Sequence, residues 1–203
     1  MASLVAILEV MAMHGGLPIL ELRDRNAWGS WLHANHGSLT GVWLKLAKKG
    51  SPKPTVTYAE ALEEAIRYGW IDGQRCAYDE QSYLQRFTVR GPRSAWSQIN
   101  RDKALALIAE GRMADAGLAK IRAAQEDGRW ERAYEPQSRA TVPEDFRREL
   151  DRNHSAKQFF ETLTGSRRYA FLYRLHNTRG GDARAKRIAM YIELLSARKT
   201  LQD

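Results

Sequence analysis

Arginine side chains are concentrated in one stretch of this chain that is also rich in aromatic residues. Arg86 and Arg90 lie in a segment whose alternation predicts a strand, and that alternation places both on one face. Arg93 follows just before a predicted helix start. Guanidinium groups grip carboxylate or phosphate through paired hydrogen bonds, and helix N-termini favour anions. The spacing therefore predicts a site for an anionic ligand.

Aromatic and polar residues near these arginines extend the candidate ligand site. Trp70 and Trp96 offer flat walls for a ring, and Ser97 and Asn100 lie along one side of the predicted helix. Asp72 is the candidate general acid or base of an enzyme acting on a small anionic substrate. The alternative is structural, with Asp72 in an ion pair or a turn and the tryptophans in the core.

Other residue types with catalytic potential lack partners in the sequence. His33 and His36 have a helical spacing suited to a metal, but no third ligand stands out. Cys76 follows Arg75, although a buried small side chain is the commoner reason for a cysteine in a strand. No phosphate-binding glycine loop or dinucleotide motif is present. We predict no cofactor and no metal, and leave open whether the chain is an enzyme.

A second group of basic residues lies in the predicted last helix. Residues 166–199 contain nine Lys or Arg and two acids, a local excess of seven against a net charge of +8 for the whole chain. One narrow arc of that helix carries Arg184, Arg187, Tyr191 and Arg198 beside an apolar stripe. This arc is the candidate surface for nucleic acid or an acidic lipid, the alternative being a solvated flank.

Composition bounds the class of protein and the class of partner. The 203 residues are 43% hydrophobic, enough for a sizeable core, and the pI near 9.7 indicates an anionic small molecule or an acidic macromolecule as partner. A single cysteine excludes an internal disulfide. The apolar N-terminus lacks both the basic start of a secretory signal and the length of a membrane helix. We expect a cytoplasmic protein without a membrane span.

Local signals predict the elements that would position these residues. Asp24 is placed to cap a helix, and Thr57 with Glu60 forms a capping box. Residues 39–47 alternate as a strand, and residues 70–77 and 82–90 read as a hairpin. Ser94 is expected to cap a helix that runs to about Glu110.

These elements predict an α+β fold in which a small antiparallel sheet is packed with helices and a basic, all-helical C-terminal region follows. The predicted divisions are an N-terminal extension (1–16), an α+β domain (17–130), a linker (131–142) and the helical region (143–203).

An ordered set of motifs resembles the YdeI/OmpD-associated family, also called bacteriocin-protection proteins. The resemblance extends over about residues 17–197 and is carried by GWIDG at 69–73, RFTVR at 86–90, SAWSQIN at 94–100, GRMADAG at 111–117, VP at 142–143 and RAKRI at 184–188. Val89, where the family often has proline, and the loop 176–182 depart from its pattern. The resemblance implies protection against bacteriocins or cationic peptides and, through some relatives, a YjbR/CyaY-like fold. It implies no catalytic mechanism.

Three hypotheses follow from the residues and the resemblance together. The first is a protective or stress-associated protein that binds an anionic ligand or acidic partner at the arginine, tryptophan and aspartate cluster. The second is an enzyme on a small anionic substrate, with Asp72 as acid or base. The third is nucleic-acid binding through the basic C-terminal helices.

Overall fold

The computed structural model describes residues 12–201, and these confirm the predicted α+β class. The described strands and helices are, in chain order, β1 (Met13–His14), β2 (Leu17–Leu20), α1 (Arg25–Asn35), β3 (Gly41–Ala47), α2 (Tyr58–Arg67), β4 (Trp70–Ala77), β5 (Ser82–Val89), α3 (Gln98–Ala109), α4 (Asp115–Glu126), α5 (Glu144–Arg152), α6 (His154–Thr162), α7 (Gly165–His176) and α8 (Gly181–Ser196). Within residues 12–201, no helix has the length and hydrophobicity needed to span a membrane. The predicted extension, residues 1–16, lies outside the described part except for its last five residues.

The described chain divides into two units. The first unit contains the residues up to Ser94 together with Asn100–Glu131, and the second contains Ala95–Ile99 and the residues from Arg132 onward. All five strands belong to the first unit, and helices α5 to α8 belong to the second. The basic C-terminal region is therefore helical, as predicted.

The sheet of the first unit has the strand order β1-β2-β3-β5-β4. Neighbouring strands are antiparallel except for β2 and β3, which run parallel because α1 connects them. Val42 and Leu44 of β3 and Phe87 of β5 point to one face, where they pack with Trp28 of α1. We call this the helix face, and the opposite face, which carries Trp43, the outer face.

Strand β1 pairs with β2 at the edge of the sheet, and its His14 side chain lies over the outer face. The His14 ring stands edge-on to Trp43, with centroids 4.8 Å apart, and its Nε2 lies 3.7 Å from the Sγ of Cys76. Trp43 belongs to β3 and Cys76 to β4, and β5 runs between those strands with Leu84 opposite Cys76. A single imidazole reaches both only by lying over the face of the sheet.

A β-bulge interrupts the pairing of β4 with β5. Arg75 lies opposite Gln85, but Asp72 lies opposite Phe87, so two residues of β4 oppose one of β5. The Gln85 side chain is buried and donates from Nε2 to the carbonyl of Gly73 at 2.9 Å. The side-chain amide thereby provides a hydrogen-bond donor for a carbonyl group that the interrupted strand pairing leaves without one.

A buried acid joins the helices of the first unit. Glu64 of α2 is only 3% exposed, and its carboxylate accepts from Arg25 Nε at 2.8 Å, from Arg67 Nη1 at 3.2 Å and from Arg112 Nη2 at 3.4 Å. Gly29 of α1 leaves room for that carboxylate, because a Cβ there would lie 3.1 Å from Glu64 Oε2. A buried carboxylate is tolerated here because three guanidinium groups compensate its charge.

Helix α4 packs so closely against the end of α2 that their backbones are in contact at Gly117. A Cβ added to Gly117 would lie 2.4 Å from the carbonyl oxygen of Arg67 and 2.6 Å from the Sδ of Met113. The neighbouring Gly69 has φ +74°, a conformation that other residues rarely adopt. Glycine at these two positions allows the α2–β4 turn to lie directly against α4.

The second unit packs its helices around aromatic side chains. Phe146, Phe160, Phe171 and Tyr191 are buried and make edge-to-face contacts with one another. Sequence analysis placed Tyr191 on the surface arc of α8, but it lies between Ile188 and Leu195 at helical spacing and belongs to the core stripe.

Candidate functional site

Trp70, predicted as a wall of the ligand site, lies in the core of the first unit. Its side chain is fully buried and stands edge-on to Trp28 and to Trp31 on the helix face. Its Nε1 donates to the carbonyl of His36 at 3.2 Å, which satisfies the one polar atom of the indole. This arrangement corresponds to the structural alternative for Trp70.

Asp72 and Arg86 point to opposite faces of the sheet. Asp72 lies opposite Phe87 and therefore shares the helix face, whereas Arg86 lies opposite Trp43 and shares the outer face. On the helix face, Asp72 Oδ2 accepts a hydrogen bond of 2.8 Å from the hydroxyl of Tyr58. The predicted arrangement, with both side chains on one ligand, is not formed.

Arg86 is the predicted arginine with the clearest capacity to take a ligand. Its aliphatic stem lies along Gly73, where an added Cβ would be 3.7 Å from the Arg86 Cβ. Its Nε is buried and has no hydrogen-bond partner among the residues that the structure describes. Within those residues, no carboxylate lies at ion-pair distance from its guanidinium group. A half-buried guanidinium without an acid suits an incoming anion.

Lys45, which shares the outer face with Arg86, is already neutralised. Its Nζ lies 3.1 Å from Glu21 and 3.5 Å from Asp79. Hydrogen bonding to Glu21 raises the pKa of Lys45, and hydrogen bonds from Lys53 and Lys45 lower the pKa of Glu21. These charges compensate one another, so they do not compete with Arg86 for an anion.

The other two arginines of the predicted cluster have different surroundings. Arg90 is 1% exposed, and its amide donates to the carbonyl of Gly69 at 3.0 Å. Arg93 is exposed in a turn, which Ser94 closes by accepting from the Gly91 amide at 3.1 Å. Ser94 was predicted to cap a helix, but it caps this turn instead.

The helix after this turn begins at Gln98, three residues later than a helix capped by Ser94 would begin. Its start is delayed because Ser97 forms a β-bridge with Tyr134, so that the Tyr134 amide donates to the Trp96 carbonyl and the Gln98 amide to the Tyr134 carbonyl. The predicted helix start directly after Ser94 is therefore wrong.

The remaining predicted ligand residues, Trp96, Ser97 and Asn100, are all buried. The division of the chain assigns Trp96 and Ser97 to the second unit and Asn100 to the first.

The basic arc of α8 is largely occupied by contacts within the second unit. Arg184 makes a two-pronged contact with the carboxylate of Asp145, including Nη2 to Oδ1 at 2.9 Å, and this hydrogen bonding lowers the pKa of Asp145. Arg187 donates to the Thr178 hydroxyl at 2.7 Å. Arg198 is exposed beyond the end of the helix, in a left-handed conformation with φ 54°.

Sequence reasoning missed the contact between Cys76 and His14. Their separation of 62 positions and the shortness of β1 leave no local pattern that links them. The sequence offered only a weak signal for this contact. Cys76 lies near the end of a predicted strand, between residues that are exposed. Within residues 12–201, no three His, Cys, Asp or Glu side chains are grouped as they would be around a metal ion.

Two separate parts of the chain match known families. Residues 139–198 match the family described as bacteriocin-protection, YdeI or OmpD-associated, and this confirms the predicted resemblance for the C-terminal part. Residues 20–120, which contain the Gly69–Gly73 motif, match a different family, described as a domain of unknown function (DUF8412). Comparison with curated proteins and with solved structures finds no match.

Proposed function

We propose that this chain, whose residues 139–198 match the bacteriocin-protection family, is a bacterial cytoplasmic protein that protects cells against bacteriocins or other cationic peptides. The match of that stretch is the observation that carries the proposal. It covers α5 to α8, which pack around one aromatic core. We assign the function to the chain as a whole. The match identifies a helical region and names no ligand.

The second part of the proposal is that Arg86 binds an anionic small molecule or an acidic partner on the outer face. The support is local: a half-buried guanidinium whose Nε has no partner among residues 12–201, beside the indole of Trp43 on the neighbouring strand. A phosphate or carboxylate would pair with the accessible part of this guanidinium group. An aromatic neighbour would cover one side of the ion pair and reduce its screening by water.

A survival assay tests the protective role. Bacteria that lack the gene for this chain would be exposed to a bacteriocin or a cationic antimicrobial peptide, with the gene restored as wild type, Arg86→Ala or Arg75→Ala. Arg75 is the matched control, since it lies on the adjacent strand, is exposed and stacks 3.9 Å above the Tyr83 ring. Wild type and Arg75→Ala are expected to restore survival equally, and Arg86→Ala is expected to restore less.

The outcomes separate the two parts of the proposal. Wild type that gives no protection overturns the protective role. Full protection by Arg86→Ala overturns only the role of Arg86. A titration of purified protein with inorganic phosphate and citrate completes the test, in which Arg86→Ala should weaken binding about tenfold or more. Arg86→Lys should give intermediate affinity, because lysine keeps the positive charge but cannot donate the paired hydrogen bonds of a guanidinium group.

The two alternative functions have less support. An enzyme that uses Asp72 as base and Arg86 as clamp would need both on one substrate, and the strand register points them to opposite faces. Nucleic-acid binding through α8 would use Arg184 and Arg187, whose guanidinium groups already contact Asp145 and Thr178. Neither alternative is favoured by a specific contact.

A further inference from the structure

The second unit contains a small cavity that no predicted site residue lines. Its volume is about 230 Å³, and its wall is built mainly from tyrosines of two segments, Tyr134 before α5 and Tyr169 and Tyr173 on α7. His176 and Glu135 supply its ionisable groups apart from the tyrosines. This volume is below that of a typical drug-sized pocket, so it suits a head group rather than a large ligand.

The tyrosine rings enclose the cavity at differing angles. Tyr134 and Tyr173 are perpendicular, with ring centroids 4.8 Å apart, and Tyr169 is tilted by 42° from Tyr173 at 5.9 Å. The ring of His176 stands at 74° to Tyr134 at 6.4 Å. All three tyrosines line the cavity, so an aromatic ring is within reach of a ligand there. Cations are attracted to π-faces because the ring quadrupole is negative there.

Hydrogen bonds hold the walls in place. The Tyr169 hydroxyl donates to the Glu135 carbonyl at 2.7 Å, and burial, with smaller contributions from nearby tyrosines and Glu135, raises the pKa of Tyr169 to about 12. His176 Nε2 donates to the Arg132 carbonyl at 2.8 Å, which fixes the orientation of the ring. Glu135 Oε2 accepts from the Thr141 amide at 3.0 Å, which fixes the carboxylate.

The charges around the cavity contrast with those of the chain. The net charge of the protein is +8, yet the lining contains the carboxylate of Glu135 and no lysine or arginine. Other cavities in the described part of the chain include basic residues, such as Lys45 and Lys53 in one and Arg25 and Arg67 in another. An acceptor-rich aromatic wall without lysine or arginine disfavours anions and favours a cation.

We infer that this tyrosine cavity binds the head group of a small organic cation, an alkylammonium or a guanidinium, by cation–π contacts with the three tyrosines and by the charge of Glu135. This inference does not rest on the proposed protective function. It concerns a different unit and a ligand of opposite charge from the one assigned to Arg86.

Titration of the full chain with choline and with its uncharged tert-butyl analogue tests the inference. Binding is measured from shifts of the backbone amide resonances. Choline is expected to shift the amides of 132–143 and 165–176 and to bind about tenfold more tightly than the analogue. Tyr173→Ala should weaken choline binding about tenfold, whereas Tyr173→Phe keeps the ring and should bind almost as wild type. Tyr78→Ala, which removes an exposed tyrosine from the first unit, is the matched control and should bind as wild type.

Each result decides for or against the cation site. Equal affinity for the uncharged analogue would mean an apolar pocket and would overturn the inference, as would the absence of any choline-dependent shift. Equal binding by Tyr173→Ala and wild type would also overturn it. A short peptide with one trimethyllysine distinguishes the sources of the cation: tighter binding than choline identifies a side chain of another protein, and weaker binding identifies a free small molecule.

Discussion

Removal of the Glu64 carboxylate is expected to destabilise the first unit strongly, because this acid is buried among three arginines. Glu64→Ala removes the buried carboxylate shared by Arg25, Arg67 and Arg112, and among the described residues it leaves Arg67 without an ion pair. Removing one partner of a buried ionic cluster typically costs about 3–5 kcal/mol. We expect a loss of that size in the free energy of unfolding of the first unit.

Glu63 provides the matched control, since it is the preceding residue of the same helix and contacts two of the same arginines. Its side chain is 27% exposed, against 4% for Glu64. Solvent screens its ion pairs, so Glu63→Ala should cost about 1 kcal/mol or less. Glu64→Gln keeps the shape of the side chain and separates the loss of charge from the loss of packing.

The measurement is urea unfolding at neutral pH followed by tryptophan fluorescence. Trp28, Trp31 and Trp70 are packed together on the helix face, so their emission reports the first unit. A difference of about 2 kcal/mol between the two alanine variants corresponds to a factor of about 30 in the unfolding constant. Equal losses for Glu63→Ala and Glu64→Ala would refute the reasoning that burial determines the cost.

Two further variants test contacts described above. Gly117→Ala places a Cβ 2.4 Å from a backbone carbonyl at the end of α2, so it should destabilise the first unit by about 1–3 kcal/mol in the same urea assay, whereas Gly37→Ala, with open space around it, should change little. Asp145→Asn should reduce the acid sensitivity of the second unit. Because hydrogen bonding to Arg184 lowers the pKa of Asp145 in the folded state, this contribution is present above the unfolded value near 3.9 and is lost as pH falls through the folded value. Wild type should therefore lose about 1 kcal/mol more than the variant between pH 7 and pH 3, measured by thermal unfolding, and equal losses would contradict the assigned role of the pair.

Local signals in the sequence were sufficient for many helix starts and for three of the five described strands, β3, β4 and β5. Asp24 accepts from the Ala27 amide, and Thr57 forms the full capping box with Glu60, as predicted, because a cap depends on residues three positions apart. The alternation of side chains along β3 predicted its two faces, because this pattern also depends only on residues close together in the sequence.

The candidate site depended on the register between strands, which local signals do not encode. The hairpin register near its turn pairs Ala77 with Tyr83, and without a bulge it would place Asp72 opposite Thr88, on the face of Arg86. The bulge shifts the register by one residue, and a shift of one moves a side chain to the other face. Gly73 lies at the bulge and permits it, but a glycine in a strand does not require one.

The bulge in β4 also has a consequence for how the protein behaves at high concentration. β4 is an outermost strand of the sheet, and a long flat edge is a template on which a second chain can add a strand and begin to aggregate. The extra residue bends the strand between Asp72 and Arg75 and breaks the regular row of outward backbone groups. The irregularity that separates Asp72 from Arg86 thus also protects the exposed edge of the sheet from self-association.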